Sequence, residues 1–276
     1  MDDGINMPTT NYPAELRSAA FFWLAECDPA NKVAGVRALA ETWLSGRIEL
    51  DTHAVLKATH SIPGHPETPE LVSPHSVKRR SMNTPEGRAI LIHALAHIEF
   101  NAINLALDAI WRYHGMPQAY YTDWLQVASE EALHFSLLAG HLQTLGYAYG
   151  DFPAHNGLWE MAAKTQHDIL VRIALVPRTM EARGLDATPP MRAKLAQAGD
   201  MDAAEILDII LRDEIGHVAT GNRWFSYLCE KRNLEPISTY AQLAREYSAP
   251  ALHGRLNLVA RRAAGFSELE LAAMVP

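Results

Sequence analysis

The sequences Glu130-Glu131-Ala132-Leu133-His134 and Asp213-Glu214-Ile215-Gly216-His217 decide how the rest of the chain is interpreted. In an α-helix, residues three apart lie about 60° apart around the axis, so each Glu-x-x-His pair directs a carboxylate and an imidazole to one side. A single pair is common on solvated helices. Two pairs, each preceded by another acid and set among apolar residues, predict a metal centre shared by two helices of a four-helix fold.

Glu99 supplies a further acid at a position that should be buried. Its same-face neighbours, three and four residues away, are Leu95, Ala96, Ala102 and Ile103. A carboxylate among such residues is costly to ionise without a partner, so it requires a cation. That cation is either a metal ion or an arginine such as Arg178 or Arg183, and the two Glu-x-x-His pairs favour the metal ion.

The fourth carboxylate is predicted on the third long helix. Glu181 precedes Glu214 by 214 − 181 = 33 residues, much as Glu99 precedes Glu131 by 131 − 99 = 32. This spacing predicts two antiparallel helix pairs with pseudo-two-fold symmetry. Glu160 is the alternative, although it stands near the start of its helix. The predicted metal ligands are Glu99, Glu131, His134, Glu181, Glu214 and His217.

The chemistry of this set indicates the metal. Four carboxylates neutralise two divalent cations, and carboxylates with imidazoles and no thiolate suit iron, or manganese, better than copper or a structural zinc. Glu130 and Asp213 are predicted either to accept the outer N–H of the histidine on the partner helix or to be exposed acids. His93 and His97 lie on another face of the first long helix, where packing or support of the ligands is favoured over metal binding.

Helical periodicity predicts an all-α protein with one domain spanning residues 1–276. We divide it into a helical cover, a proline-rich extended strap, a four-helix metal-binding bundle and C-terminal helices, at residues 1–50, 51–84, 85–232 and 233–276. The long helices are predicted near 85–114, 117–145, 157–183 and 202–232. The third should stop at Gly184, and Pro177 predicts a kink or a local break in its hydrogen-bond ladder. Shorter helices are predicted near 13–27, 31–45, 190–198, 239–247 and 250–264.

Composition narrows the class of protein. A formal charge of −8 over 276 residues argues against a protein that coats nucleic acid. Cys27 and Cys229 are far apart, which favours a reducing compartment. No basic-then-apolar leader begins the sequence, and the apolar run 89–111 is interrupted by polar residues, so we expect a cytoplasmic protein without a membrane span. Lys78-Arg79-Arg80 is either a solvated turn or a phosphate-binding site.

The ligand set resembles that of the ferritin-like di-iron carboxylate superfamily. The stretches 93–100 and 176–186, with the proline-rich segment before Lys78, resemble more specifically a ferritin-like family of bacterial proteins of unknown function. That family is distantly similar to the non-haem di-iron tRNA hydroxylases. The resemblance covers residues 55–235 and implies a four-helix bundle in which residues 147–157 form a long crossover.

Three functions follow as hypotheses. The first is a di-iron oxidase or hydroxylase that uses O2 or peroxide and an electron donor, acting as a monomer or small homo-oligomer on an unidentified substrate, with tRNA one candidate. The second is a ferroxidase or metal-storage protein. The third is a non-enzymatic helical interaction protein with buried polar networks.

Overall fold

The computed structural model describes residues 12–76, 81–252 and 254–274, and within them the protein is all-α. No β-strand forms in these ranges; only two isolated β-bridges occur, Glu15 with Glu49 and Leu71 with Ala154. The helices are α1 (Leu16–Ala25), α2 (Pro29–Leu44), α3 (Pro85–Arg112), α4 (Gln118–Thr144), α5 (Gly157–Lys164), α6 (Ile169–Leu175), α7 (Ala182–Gln197), α8 (Met201–Lys231), α9 (Pro236–Glu246), α10 (Leu258–Ala263) and α11 (Glu268–Met274).

The helices pack around one main core. Helix α3 packs against α4, α4 against α8, and α8 against α6 and α7, while α1 and α2 cover α3 and α4. One continuous apolar cluster runs from Leu16 in α1 to Leu243 in α9. Helix α3 is almost entirely buried, because its apolar residues surround the axis and other helices contact it on several sides.

The predicted third helix is where the structure differs most from the prediction. The segment 157–183 is broken after Lys164, and Asp168 begins α6 by accepting a hydrogen bond from the Leu170 N–H at 2.7 Å. A π-helical turn, Val176–Glu181, contains Pro177, so the i to i−4 hydrogen-bond ladder is broken at the predicted position. The helix does not end at Gly184, and no separate helix forms at 190–198, because α7 continues to Gln197.

Helix α7 continues even though it contains Pro189 and Pro190. Pro189 has no N–H to donate to the carbonyl of Leu185, and this loss normally ends a helix. The side-chain amide of Asn257 replaces it, donating to Leu185 O at 3.1 Å. A segment far along the sequence therefore supports α7, which periodicity within residues 182–197 does not reveal.

The strap lies against the helices as an extended chain. The Gly64 N–H donates to Leu24 O at 2.8 Å, and residues 70–72 pair with Ala154 in the crossover between α4 and α5. Lys32 is fully buried beneath the strap. Its ammonium group donates to the carbonyls of Leu24 and Gly64, each at 3.3 Å, and to Asn104 Oδ1 on α3.

Three further predictions concern a membrane span, a basic cluster and the two cysteines. Within the described ranges, one helix, Pro85–Arg112, is long and apolar enough to cross a membrane, but 72% of its most apolar 18-residue stretch is buried inside the protein, as in the core helix of a soluble protein. The basic cluster Lys78-Arg79-Arg80 lies outside the described residues. Cys27 is exposed and Cys229 is buried, and both are free thiols.

Candidate metal centre

Three helices bring the central side chains together. Glu99 of α3, Glu131 and His134 of α4, and Glu214 of α8 are buried, and each offers a ligand atom within 4.8 Å of the others. His217, one turn after Glu214, is also buried and completes the group. Among the described residues this is the one cluster whose geometry could hold a metal ion.

Glu131 stands at the centre of the cluster. Its Oε2 lies 3.2 Å from His134 Nδ1, and its Oε1 lies 3.0 Å from His217 Nδ1. His134 Nδ1 is also 3.4 Å from Glu99 Oε2, and His217 Nδ1 is 3.5 Å from Glu214 Oε1. One carboxylate therefore lies between two similar halves, each with one glutamate and one histidine.

These separations fit metal ligation. Two donor atoms that each bind one ion at about 2.1 Å and subtend a right angle lie about 3.0 Å apart. The observed distances of 3.0–3.5 Å are close to this value. His217 Nδ1 and Glu214 Oε2 are buried without a hydrogen-bond partner. Buried polar atoms of this kind normally have a partner, and a cation at the centre would supply it.

Each histidine is fixed from behind by an acid on the other helix. His134 Nε2 donates to Asp213 Oδ2 at 3.1 Å, and His217 Nε2 donates to Glu130 Oε2 at 2.8 Å. This exchange across helices corresponds to the first of the two alternatives that the sequence left open for Glu130 and Asp213. A carboxylate at Nε2 favours the neutral tautomer that carries its proton there, which leaves the lone pair of Nδ1 facing the centre.

Glu181, at the end of the π-helical turn, lines a cavity together with Glu99 and Glu214 but is not among the residues whose ligand atoms lie within 4.8 Å of one another. The residue is partly exposed, but its Oε2 is buried and has no hydrogen-bond partner. Pro177 lacks an N–H, and the wider π turn that contains it ends at Glu181. The close approach of α8 to this turn depends on Gly221, where a Cβ would lie 2.8 Å from Pro177 Cβ. Glu160, the alternative, is exposed on α5.

In the metal-free chain, protons balance the charges of the cluster. Burial and the nearby Glu131 raise the pKa of Glu99 well above its ordinary value. Burial, with repulsion from Glu214 and Glu131, raises the pKa of Glu181 to about 8. Burial opposes protonation of His134, but its hydrogen bonds to Glu131 and Glu99 outweigh this and raise its pKa to about 11. Metal ions must therefore displace several protons.

Arginine does not neutralise Glu99. Arg178 donates to Asn222 Oδ1 at 2.9 Å and forms an ion pair with Glu270. Arg183 is exposed. Both guanidinium groups that the sequence offered as partners of Glu99 are thus placed elsewhere, and the interpretation of a buried Glu–Arg pair is wrong.

His93 and His97 lie outside the cluster, packed around Tyr149. His97 Nδ1 is 2.9 Å from the Tyr149 hydroxyl, and His93 Nε2 accepts the Gly150 N–H at 2.9 Å. Burial lowers the pKa of each histidine to about 4. Both are neutral packing groups at neutral pH, and they join α3 to the crossover.

A cavity of about 910 Å³ adjoins the cluster, and sequence reasoning did not anticipate it. Glu99, Glu181 and Glu214 line it together with residues of α3, α5, α7, α8 and the segment before α10. These elements are distant in sequence, so no local pattern indicates the cavity. It gives a small molecule access to one side of the carboxylates.

Comparison with known proteins gives a family. The family described as "Protein of unknown function (DUF455)" matches residues 25–272. An "Uncharacterized protein" from Haemophilus influenzae (strain ATCC 51907 / DSM 11121 / KW20 / Rd) is 52% identical over 231 residues, covering 81% of this chain and 80% of the relative. No solved structure matches.

Proposed function

Since this chain belongs to the family described as protein of unknown function (DUF455), its site is the guide to its chemistry, and we propose that it is a ferritin-like di-metal carboxylate oxidase or hydroxylase. The observation that supports this most directly is the position of Glu131. Its two oxygens face the Nδ1 atoms of two histidines, at 3.2 and 3.0 Å, so one carboxylate bridges two half-sites. A site for a single ion needs no such duplication.

The residues available fit two ions. Glu99 and His134 would hold one ion, Glu214 and His217 the other, with Glu131 between them and Glu181 adding a fourth carboxylate. Four carboxylates and two neutral imidazoles give no net charge with two divalent cations, so the buried site is not left with an excess charge. Oxygen and imidazole donors without thiolate favour iron, with manganese as the alternative.

Two such ions, when bound, supply redox chemistry toward O2 or peroxide. For a hydroxylation by O2, the balance is R–H + O2 + 2e⁻ + 2H⁺ → R–OH + H2O, with the electrons provided by a separate reductant. The chain itself keeps the imidazoles oriented through Glu130 and Asp213, and the surrounding apolar residues limit access of water to the site.

Iron loading tests the proposal. Full-length protein purified without oxygen and incubated with Fe(II) should retain about two irons per chain and consume O2 when a reductant is added. Glu131→Gln keeps the shape of the side chain and removes the charge, and it should lower the stoichiometry to one or less with helix content unchanged. Glu160→Gln, an exposed change on α5, is the matched control and should retain two irons.

Iron below one equivalent after loading of the unaltered protein would contradict the proposal. Two irons with O2 consumed only once, as Fe(II) is oxidised, would support the ferroxidase alternative. Continued O2 consumption with reductant supports the oxidase.

A further inference from the structure

The cavity beside the metal centre is apolar along most of its wall. The apolar side chains come from four helices and from the segment before α10, and include Leu95, Ala102, Met180, Leu207, Ile210 and Leu256. Glu99, Glu181 and Glu214 form its acidic inner side. At about 910 Å³, its size is that of sites that enclose small organic molecules. A macromolecule would reach the carboxylates only through a protruding group.

Two arginines line the same cavity where it meets the solvent. Arg183 of α7 and Arg255, just before α10, are exposed, and neither makes a hydrogen bond or ion pair with another described residue. Asp186, which follows Arg183 by three residues and also lines the cavity, is already occupied: it accepts from the Arg261 Nη2 at 2.6 Å and from the Asn257 N–H at 2.7 Å. The two guanidinium groups therefore remain available to an anion.

The polarity of the cavity defines its ligand. An apolar wall rejects a molecule that is charged throughout, because the charge would lose its hydration without a partner. Free arginines at the solvent side favour one anionic group there. We propose that the cavity binds a small amphipathic molecule with a hydrocarbon body directed toward Glu99, Glu181 and Glu214 and a single carboxylate or phosphate held by Arg183 and Arg255.

The role of this molecule as the compound oxidised rests on the function proposed above. In this orientation the hydrocarbon part, rather than the anionic group, faces the metal centre. The reaction is then hydroxylation of a C–H bond remote from the anionic end, with O2 and a two-electron reductant as co-reactants and water as the second product.

Calorimetric titration of the iron-loaded, full-length protein with defined probes tests the binding. Sodium decanoate and decyl phosphate should bind about tenfold or more tightly than 1-decanol, and decyltrimethylammonium should bind more weakly than decanol. The double variant Arg183→Gln/Arg255→Gln should lose this tenfold preference while its affinity for decanol changes less than about twofold. Arg37→Gln, an exposed arginine on α2 that does not line the cavity, is the matched control and should bind decanoate as the unaltered protein does.

A second variant tests the depth of binding. Ala102 is buried on α3, one turn after Glu99, and lines the cavity. Ala102→Leu should weaken decanoate binding more than hexanoate binding, because only the longer chain reaches the filled region. Circular dichroism on each variant establishes that it is folded.

Iron stoichiometry on the same preparations separates the two proposals. Two irons per chain with decanoate bound no more tightly than decanol would overturn the ligand assignment and leave the metal function in place. Selective decanoate binding that the arginine variant abolishes, with less than one iron per chain, would support the ligand assignment and overturn the metal function and the role of the ligand as substrate.

Discussion

Replacing Glu181 by glutamine should change how the stability of the metal-free protein depends on pH. The pKa of this carboxyl is raised from 4.5 to about 8 in the folded chain, because it is buried near Glu214 and Glu131. Between these two values the unfolded chain has released the proton and the folded chain keeps it. Stability therefore falls as pH rises through this window.

The magnitude follows from the linkage relation. A shift of one pKa unit corresponds to about 1.4 kcal/mol, so the full effect has an upper limit of about 5 kcal/mol above pH 8. Between pH 5 and 7.5, where the folded form is still largely protonated, the loss is about 3 kcal/mol. For a protein of this size that corresponds to roughly 6 °C or more in Tm. Glutamine has no proton to release and removes this contribution.

Thermal unfolding of chelator-treated protein from pH 5 to 8 measures the effect. Glu181→Gln should gain stability relative to the unaltered protein as pH rises, whereas Glu160→Gln, exposed on α5, should follow the unaltered protein throughout. Parallel pH profiles for Glu181→Gln and the unaltered protein would mean that Glu181 is solvated and ionised. The reasoning that places it in the buried cluster would then fail.

Three further changes test the packing, the orientation of the ligands and the strap. Gly221→Ala forces a Cβ to within 2.8 Å of Pro177 Cβ and should lower the free energy of unfolding, measured in urea, by about 1–3 kcal/mol. Gly140→Ala, whose Cβ meets no atom within 4 Å, should be neutral or slightly stabilising, and equal effects of the two changes would contradict the close packing of α8 on the π-helical turn. Asp213→Asn removes the charge that supports His134 but no predicted metal ligand. It should therefore weaken metal binding about 10- to 100-fold in competition with a chelator without changing the saturating stoichiometry, and unchanged affinity would show that the bond is dispensable. Lys32→Met removes the ammonium group that donates to two carbonyls and an amide oxygen, so it should lower the free energy of unfolding by about 2 kcal/mol or more. It should also speed proteolytic cleavage within residues 51–76, and an unaltered cleavage rate would show that other contacts hold the strap.

The helical class and most helix ends could be predicted because they depend on local signals. Thr84 begins α3 by accepting the Gly87 N–H at 3.0 Å, and the predicted start at Pro85 is confirmed. The fourth long helix, predicted at 202–232, is α8 at Met201–Lys231. Apolar periodicity and capping residues are encoded within each segment, so they need no knowledge of the neighbours.

The third helix was predicted less well because its breaks depend on distant residues. After α5, the guanidinium of Arg172 donates a hydrogen bond to the Ala162 carbonyl oxygen at 2.6 Å and forms an ion pair with Asp108 of α3 at 2.5 Å. At α7, Asn257 replaces the bond that Pro189 cannot make. Propensity alone favoured one helix ending at Gly184, and tertiary hydrogen bonds overrode it.

The buried acidic and histidine cluster could be predicted from the sequence because a buried charge is costly and requires a partner. Glu99 is an acid among apolar neighbours in the sequence, and in the structure it lies beside His134 and Glu131. The cavity and its two arginines could not be predicted from the sequence, since Arg183 and Arg255 lie 72 residues apart and neither has an unusual local sequence. Their relation exists only in the folded chain.

The crossed bonds of Glu130 to His217 and Asp213 to His134 also fix how α4 and α8 lie along one another. A slip of α8 by one helical turn is about 5.4 Å, which is enough to break both bonds together and deprive two buried imidazoles of their acceptors. Apolar contacts between helices tolerate such a slip far better, because one leucine can replace another. The two bonds thus fix the register of α4 and α8, and any variant that shortens or lengthens α8 between Asp213 and His217 must break at least one of them.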